Sequence, residues 1–201
     1  VNETFFFRDE TPFKIFREQA LPYLEEVSVK EKVKIWCAAC STGQEPYSIH
    51  MMLDKKYRYR ENFTYEIDAS DISNRALDRG RQGVFSDLEV GRGLLEEYRD
   101  SFFKKLPEGG WQIKEECKKY ITYFQQNLCD ERHNFRSLYH IVFLRNVLIY
   151  FDQDMKKFVL DKIFKSMKSG GFLFLGTSEN IYDDQSGFEK LGSVTGVYRK
   201  K

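Results

Sequence analysis

Two acids stand where strands are expected to give way to loops. Glu45 follows the loop glycine Gly43 in the run WCAACSTGQEPYS (residues 36–48), and Asp71 lies in ASDIS (residues 69–73). A carboxylate past the carboxyl end of a strand can accept hydrogen bonds from a ribose diol, and a glycine in the neighbouring loop lets backbone approach the rest of a nucleoside. A dinucleotide would need G-x-G-x-x-G to bring pyrophosphate onto a helix N-terminus, whereas this loop has one glycine and sets Glu45 where phosphates would lie. A Walker sequence with its lysine is absent as well. What remains is a nucleoside without phosphates whose ammonium and sulfonium groups favour nearby acids, namely S-adenosylmethionine. Taken singly, the residues have ordinary readings. Asp71 would cap a helix together with Ser73, Glu45 would be a first-turn acid favoured by the helix dipole, and Arg145 a buried arginine with a carboxylate partner. Tyr150 would be an aromatic core residue, and Arg8 would form a surface ion pair with Asp9 or Glu10. It is their combination that points to a cofactor site.

The elements that must carry these residues follow from hydropathy patterning. Residues 33–37 (VKIWC), 65–70 (YEIDAS), 120–126 (YITYFQQ), 140–144 (HIVFL) and 172–176 (FLFLG) read as strands. An amphipathic helix is expected over Thr11–Val27, capped by Asp9 or Thr11 and bent at Pro22. Further helices are expected from Glu45-Pro46, from Ser73 to about Gln82, and after Asp152, the last stopped by Gly170-Gly171. Residues 83–119 break the alternation around a hairpin turn at Pro107–Gly110, and residues 188–191 with 197–199 form a closing hairpin. Strands alternating with helices imply a doubly wound, mostly parallel α/β sheet of Rossmann-like type, with ligands outside the carboxyl ends of its strands. The whole chain, residues 1–201, reads as one domain with an N-terminal segment and helix (1–32) and a small inserted β-subdomain (83–119).

Composition narrows the class. The chain has 201 residues, of which 41% are hydrophobic and 31% charged, enough to build a core and unlike a disordered protein. With 32 basic and 31 acidic residues the formal charge is +1, so no global field draws nucleic acid. No apolar run reaches the ~20 residues of a membrane span, and a cytoplasmic location is expected. Four cysteines are too few for a disulfide scaffold; Cys37 and Cys40 read as small apolar side chains flanking a turn, with no metal.

Five separated blocks, VNETFFFRD (1–9), WCAACSTGQEPYS (36–48), ASDIS (69–73), LRNVLIYFD (144–152) and GTSEN (176–180), resemble the signature blocks of the CheR-type chemotaxis receptor methyltransferases. The resemblance runs through essentially the whole chain and implies a class I S-adenosylmethionine-dependent methyltransferase that esterifies glutamate side chains of membrane chemoreceptors and releases S-adenosylhomocysteine. It implies that Asn2, Thr4 and Arg8 reach over the cofactor, that Glu45 and Asp71 hold its amino acid and ribose portions, and that Asn127 and Leu128 address adenine. Leu144 and Arg145 would line the methionyl end, with Arg8 and Tyr150 near the transferring methyl. The implied partner is the cytoplasmic domain of a chemoreceptor, with no membrane insertion and a monomeric enzyme. Gln44 stands where the family often has an acid. In the family a small helical domain precedes the first of these blocks, and a tethering peptide at the 83–119 region is not assumed.

A glutamate with pKa ≈ 4.3 is already ionised at neutral pH, so its attack on a sulfonium methyl needs no general base. The three histidines, His50, His133 and His140, lie outside the five blocks, which suits such a reaction. The alternatives are a cofactor-binding regulatory or interaction module, and a methyltransferase acting on a different substrate.

Overall fold

The structure, a computed structural model, describes residues 3–132, 136–182 and 186–201. Five parallel strands form the frame: β1 (Val33–Cys37), β2 (Tyr65–Asp71), β6 (Ile121–Gln125), β7 (Tyr139–Leu144) and β8 (Met167–Leu175). The C-terminal hairpin, β9 (Phe188–Lys190) and β10 (Val197–Lys200), adds two strands, β10 pairing antiparallel with β8. The resulting order is β6-β2-β1-β7-β8-β10-β9. The direction in which successive strands are added reverses between the parallel neighbours β1 and β7, and a crevice opens there beyond the carboxyl ends of the strands. This is the doubly wound, mostly parallel α/β sheet expected for an S-adenosylmethionine-dependent methyltransferase.

Between β2 and β6 the chain leaves the main sheet. Strands β3 (Val84–Phe85), β4 (Phe103–Lys105) and β5 (Trp111–Ile113) form a separate antiparallel sheet in the order β3-β5-β4. The β4–β5 hairpin turns at Pro107–Gly110, where Gly109 and Gly110 take positive φ values of 100° and 81°.

The strands are apolar on both faces, as sheets covered by helices on both sides must be. Side chains alternate with period two. Ile35, Cys37, Ile141 and Phe143 belong to one buried cluster, while Trp36, Val142 and Leu144 belong to the other. On the first face Phe143 stacks on Phe174 with ring centroids 4.7 Å apart, and Phe16 packs against both.

The helices are α1 (Glu10–Ile15), α2 (Leu21–Ser28), α3 (Gln44–Tyr57), α4 (Asn74–Gln82), α5 (Asp87–Gly91), α6 (Glu96–Phe102), α7 (Glu115–Lys118) and α8 (Gln153–Lys165). Ser73 caps α4 by accepting from the Ala76 amide, and Asp152 caps α8 by accepting from Met155, as expected. Two local expectations need correction. The single helix over Thr11–Val27 is divided by a π-helical segment, Phe16–Ala20, and Asp9 does not cap it by its side chain. Pro22 sits in the first turn of α2, where its missing amide costs no hydrogen bond. Gly170-Gly171 does not stop α8, which ends at Lys165; the pair lies inside β8. A Cβ on Gly171 would come within 2.7 Å of the His140 carbonyl, so the glycines let β8 bend against β7 where their register shifts.

Candidate functional site

A cavity of about 570 Å³ opens beyond the carboxyl ends of β1, β2 and β7. Its walls come from N-terminal residues 3–8 with Phe13 of α1, the loop after β1 with Glu45, the ends of β2 and β6, and the turn after β7. Its volume suits a ligand of nucleoside size.

The loop after β1 folds as its sequence requires. Gly43 has φ 99°, and a Cβ there would lie 2.7 Å from the Tyr123 hydroxyl and 3.1 Å from Gly80 Cα, so only glycine fits. Ser41 is left-handed at φ 50°, and its amide donates to Asp71 Oδ2 at 2.8 Å. The other oxygen, Asp71 Oδ1, accepts from the Ser73 amide at 3.0 Å. Each carboxylate oxygen has a second lone pair to offer, and Asp71 lines the cavity.

Glu45, in the first turn of α3, faces Arg145 at the end of β7. The Arg145 side chain is 2% exposed; its Nη1 lies 3.3 Å from Glu45 Oε2, and its Nη2 donates to Asp9 Oδ2 at 2.9 Å and to the Arg8 carbonyl at 2.7 Å. Burial raises the pKa of Glu45 above the usual carboxylate range, and the Arg145 guanidinium opposes that shift. Burial likewise pushes the Cys37 and Cys40 thiols well above their ordinary value, so neither is a thiolate nucleophile at neutral pH. Among the described residues no group of three or more His, Cys, Asp or Glu is arranged to hold a metal.

The N-terminal segment is strapped across one side. Phe6 is fully buried against Phe85 and Phe103, at 5.0 and 5.6 Å, and Phe7 packs on Phe13 and Tyr98. The Phe7 amide donates to Ser48 Oγ at 3.0 Å. Phe5 lies under the Arg92 guanidinium at 4.1 Å, and Arg92 also pairs with Glu3 at 2.7 Å. The run of three phenylalanines thus fastens residues 3–8 beside the cavity. Two polar atoms of residues that line it, Ser41 Oγ and Arg145 Nε, are buried with no hydrogen-bond partner among the described residues, which suits a polar ligand.

The description "CheR methyltransferase, SAM binding domain" matches residues 2–197. The chain belongs to the CheR methyltransferase family. It is 38% identical to chemotaxis protein methyltransferase 1 of Vibrio cholerae over 201 residues, covering 99% of this chain and 72% of that protein. It is 35% identical to chemotaxis protein methyltransferase 1 of Pseudomonas aeruginosa over 206 residues, covering 100% of this chain and 74% of that one. A chemotaxis protein methyltransferase of Borreliella burgdorferi is 34% identical over 184 residues, covering 90% and 65%. The cofactor of this CheR-family domain is S-adenosylmethionine, and the paired acids, the nucleoside-sized cavity and the two unpartnered polar atoms fit it.

Of the residues singled out from the sequence, Thr4, Arg8, Glu45, Asp71, Asn127, Leu128, Arg145 and Tyr150 all border the cavity. Asn2 lies outside the described residues. Leu144 does not line the cavity: its side chain is fully buried within the second core cluster. Arg8 forms no ion pair with Asp9 or Glu10; its guanidinium donates to the Glu3 carbonyl and lies 5.8 Å from the Phe5 ring centroid. Asn127 Oδ1 accepts from the Cys129 amide at 2.9 Å. Tyr150, 64% exposed, stands at the rim on a short 3-10 turn, Leu148–Tyr150, rather than in the core.

Sequence reasoning missed Asp9 as the partner of Arg145. It also missed Ile72, Val147 and Ile149, which supply apolar wall beside the polar groups. Asp9 lies inside a block quoted for its resemblance, but nothing local announces a partner that is 136 residues away.

Proposed function

We propose that this domain transfers the methyl group of S-adenosylmethionine to glutamate side-chain carboxylates of bacterial chemoreceptors, forming methyl esters in chemotaxis adaptation. The reading rests chiefly on a cavity rim that offers Arg8 and Tyr150 to an incoming anion, with no histidine lining it among the described residues. His50 and His140 are both buried elsewhere, and the three named relatives are chemotaxis methyltransferases.

In this reading Asp71 accepts from the ribose diol through the lone pairs left by the Ser41 and Ser73 amides. Asn127 and Leu128 border adenine, and Thr4 borders the cofactor from the N-terminal segment. Glu45 and Arg145 face the methionyl end: the carboxylate answers its ammonium, and Arg145 Nε supplies a donor for its carboxylate. When bound, the cofactor supplies a methyl group activated by the sulfonium. A carboxylate oxygen of the acceptor bonds to that carbon as the carbon–sulfur bond breaks, and no proton moves. The protein's task is alignment, with Arg8 and Tyr150 orienting the acceptor and the apolar wall limiting water. An acceptor clamped too firmly by Arg8 would be a poorer nucleophile, so a side chain held partly by a backbone carbonyl suits the role.

The test is incubation with methyl-labelled cofactor and a chemoreceptor cytoplasmic fragment, followed by mild alkali. Volatile labelled methanol is expected, because a glutamyl methyl ester hydrolyses and an N-methyl group does not. Alkali-stable label, or cofactor binding without transfer, would overturn the assignment. Arg8→Ala is expected to lower turnover about tenfold or more while the affinity for S-adenosylhomocysteine changes little. Undiminished turnover would remove Arg8 from its role.

A further inference from the structure

The block GTSEN (residues 176–180) contributes nothing to the cavity lining, yet it holds a buried carboxylate. Glu179 is 4% exposed, and its Oε1 accepts from the Asn146 amide at 2.6 Å and from the Gly176 amide at 2.8 Å. Its Oε2 is buried with no hydrogen-bond partner among the described residues. Gly176 follows the last residue of β8, and Asn146 stands in the turn after β7, so one oxygen ties together the exits of two adjacent strands. Asn146 is left-handed at φ 61°, a conformation asparagine tolerates better than most residues, and the bond from its amide to Glu179 holds it there.

What that turn carries is the acceptor side of the site. Asn146, Val147, Ile149 and Tyr150 all line the cavity. Beyond Asn146 the turn is held by its own bonds, Tyr150 amide to Val147 carbonyl and Phe151 amide to Leu148 carbonyl, and by Leu148, which is buried. The bond from the Asn146 amide to Glu179 therefore sets the angle at which the turn leaves β7. Space is reserved for this arrangement. A Cβ on Gly176 would clash with Asn146 Oδ1 and come within 2.7 Å of Glu179 Oε1.

We propose that Glu179 is a positioning residue for methyl transfer: by holding the Asn146 and Gly176 amides on one oxygen, it fixes the turn that presents Ile149 and Tyr150 to the acceptor. The proposal rests on the assigned reaction, and it concerns alignment of the acceptor rather than affinity for the cofactor. Asp71, Glu45 and Asn127, which are assigned to the cofactor, lie on other segments; Arg145 adjoins the turn, but its guanidinium is held independently of Glu179 by Asp9, Glu45 and the Arg8 carbonyl.

The experiment compares Glu179→Ala, Glu179→Gln and Gly176→Ala with the unaltered chain. Its readouts are kcat and KM with the chemoreceptor fragment, calorimetric affinity for S-adenosylhomocysteine, and hydrogen exchange of the peptide covering residues 145–151. Glu179→Ala is expected to lower kcat about 10- to 100-fold, the scale of an ångström-size misplacement, with cofactor affinity within about threefold. Exchange in 145–151 should rise. Glu179→Gln, which retains an oxygen able to accept both amides, should recover most of kcat and restore slow exchange. Gly176→Ala should reproduce the kcat loss by displacing the same two groups, and it decides the matter if Glu179→Ala does not fold. Unchanged kcat and exchange in the folded variants would overturn the proposal. So would a loss of cofactor affinity and thermal stability at unaltered kcat, which would make Glu179 a purely structural residue. If the unaltered chain esterifies no carboxylate, the assigned reaction fails. The exchange comparison then still decides the anchoring role of Glu179, because it needs no acceptor.

Discussion

Replacing Arg145 with methionine keeps the aliphatic stem and removes the guanidinium that faces Asp9 and Glu45 and donates to the Arg8 carbonyl. Withdrawing one partner from a fully buried ion pair costs roughly 3–5 kcal/mol. Water repays part of the loss at Asp9, whose side chain is 35% exposed, but little at Glu45, which is 13% exposed. The expected loss at pH 7 is therefore near the lower end, about 3 kcal/mol. Its pH dependence distinguishes charge from packing. Burial already raises Glu45 above the ordinary carboxylate value of 4.5 against the pull of Arg145, so without the arginine the shift grows. A carboxyl group with a raised folded-state pKa binds more protons when folded. Its stability contribution is thus most favourable at low pH and is lost as pH rises through the folded pKa. The deficit of Arg145→Met relative to the unaltered chain should be largest at pH 7 and shrink towards pH 4.5. What remains there is lost packing and one hydrogen bond, about 1 kcal/mol. Urea unfolding of both chains at pH 7, 6 and 5, followed by circular dichroism, measures the difference; other titrating groups common to both chains largely cancel. A deficit constant across that range would refute the argument from stranded carboxylates.

Asp71→Asn turns one acceptor oxygen into a donor while both backbone amides and the proposed ribose hydroxyls still require acceptors. Affinity for S-adenosylhomocysteine should fall by about tenfold or more, equivalent to roughly 1.4 kcal/mol, in calorimetric titration, and unchanged affinity would remove the ribose assignment. His50 is buried, with Nδ1 2.8 Å from the Tyr65 hydroxyl and its ring stacked on Tyr120, and burial lowers its pKa to about 4. The unfolded chain takes up this proton near pH 6.5 and the folded chain only near 4, so acidification between these values should cost up to about 3 kcal/mol. His50→Gln should flatten that limb of the stability–pH curve, and an unaltered slope would assign it to other groups.

Local signals were enough to place the frame. Alternating apolar runs marked the parallel strands, Ser73 and Asp152 marked helix starts, and Glu45 and Asp71 could be set beyond strand ends because a strand-to-loop junction is a local event. Long-range pairs left no such trace. Asp9 looked like a helix cap because caps are read from the next few residues, but Arg145 takes its carboxylate from the far end of the chain. Leu144 sits next to a site residue in sequence, but its side chain is packed wholly into the core and leaves none of its surface to the cavity. Gly170-Gly171 had the composition of a helix stop, although the close approach of the His140 carbonyl makes it a bend within a strand.

The same distinction explains where backbone strain has collected. Among the described residues, the non-glycine positions with positive φ are Phe7, Asp9, Ser41 and Asn146. Ser41 and Asn146 line the cavity, and Phe7 and Asp9 flank Arg8, which lines it too. Each is held by a polar side chain remote in sequence: Ser48 for the Phe7 amide, Arg145 for the Asp9 carboxylate, Asp71 for the Ser41 amide and Glu179 for the Asn146 amide. Such conformations cost of order 1–3 kcal/mol apiece and persist only where surrounding contacts over-determine them. A reaction that uses no general base depends on alignment, and these four tethers fix the N-terminal strap, the loop after β1 and the turn after β7 around one cavity.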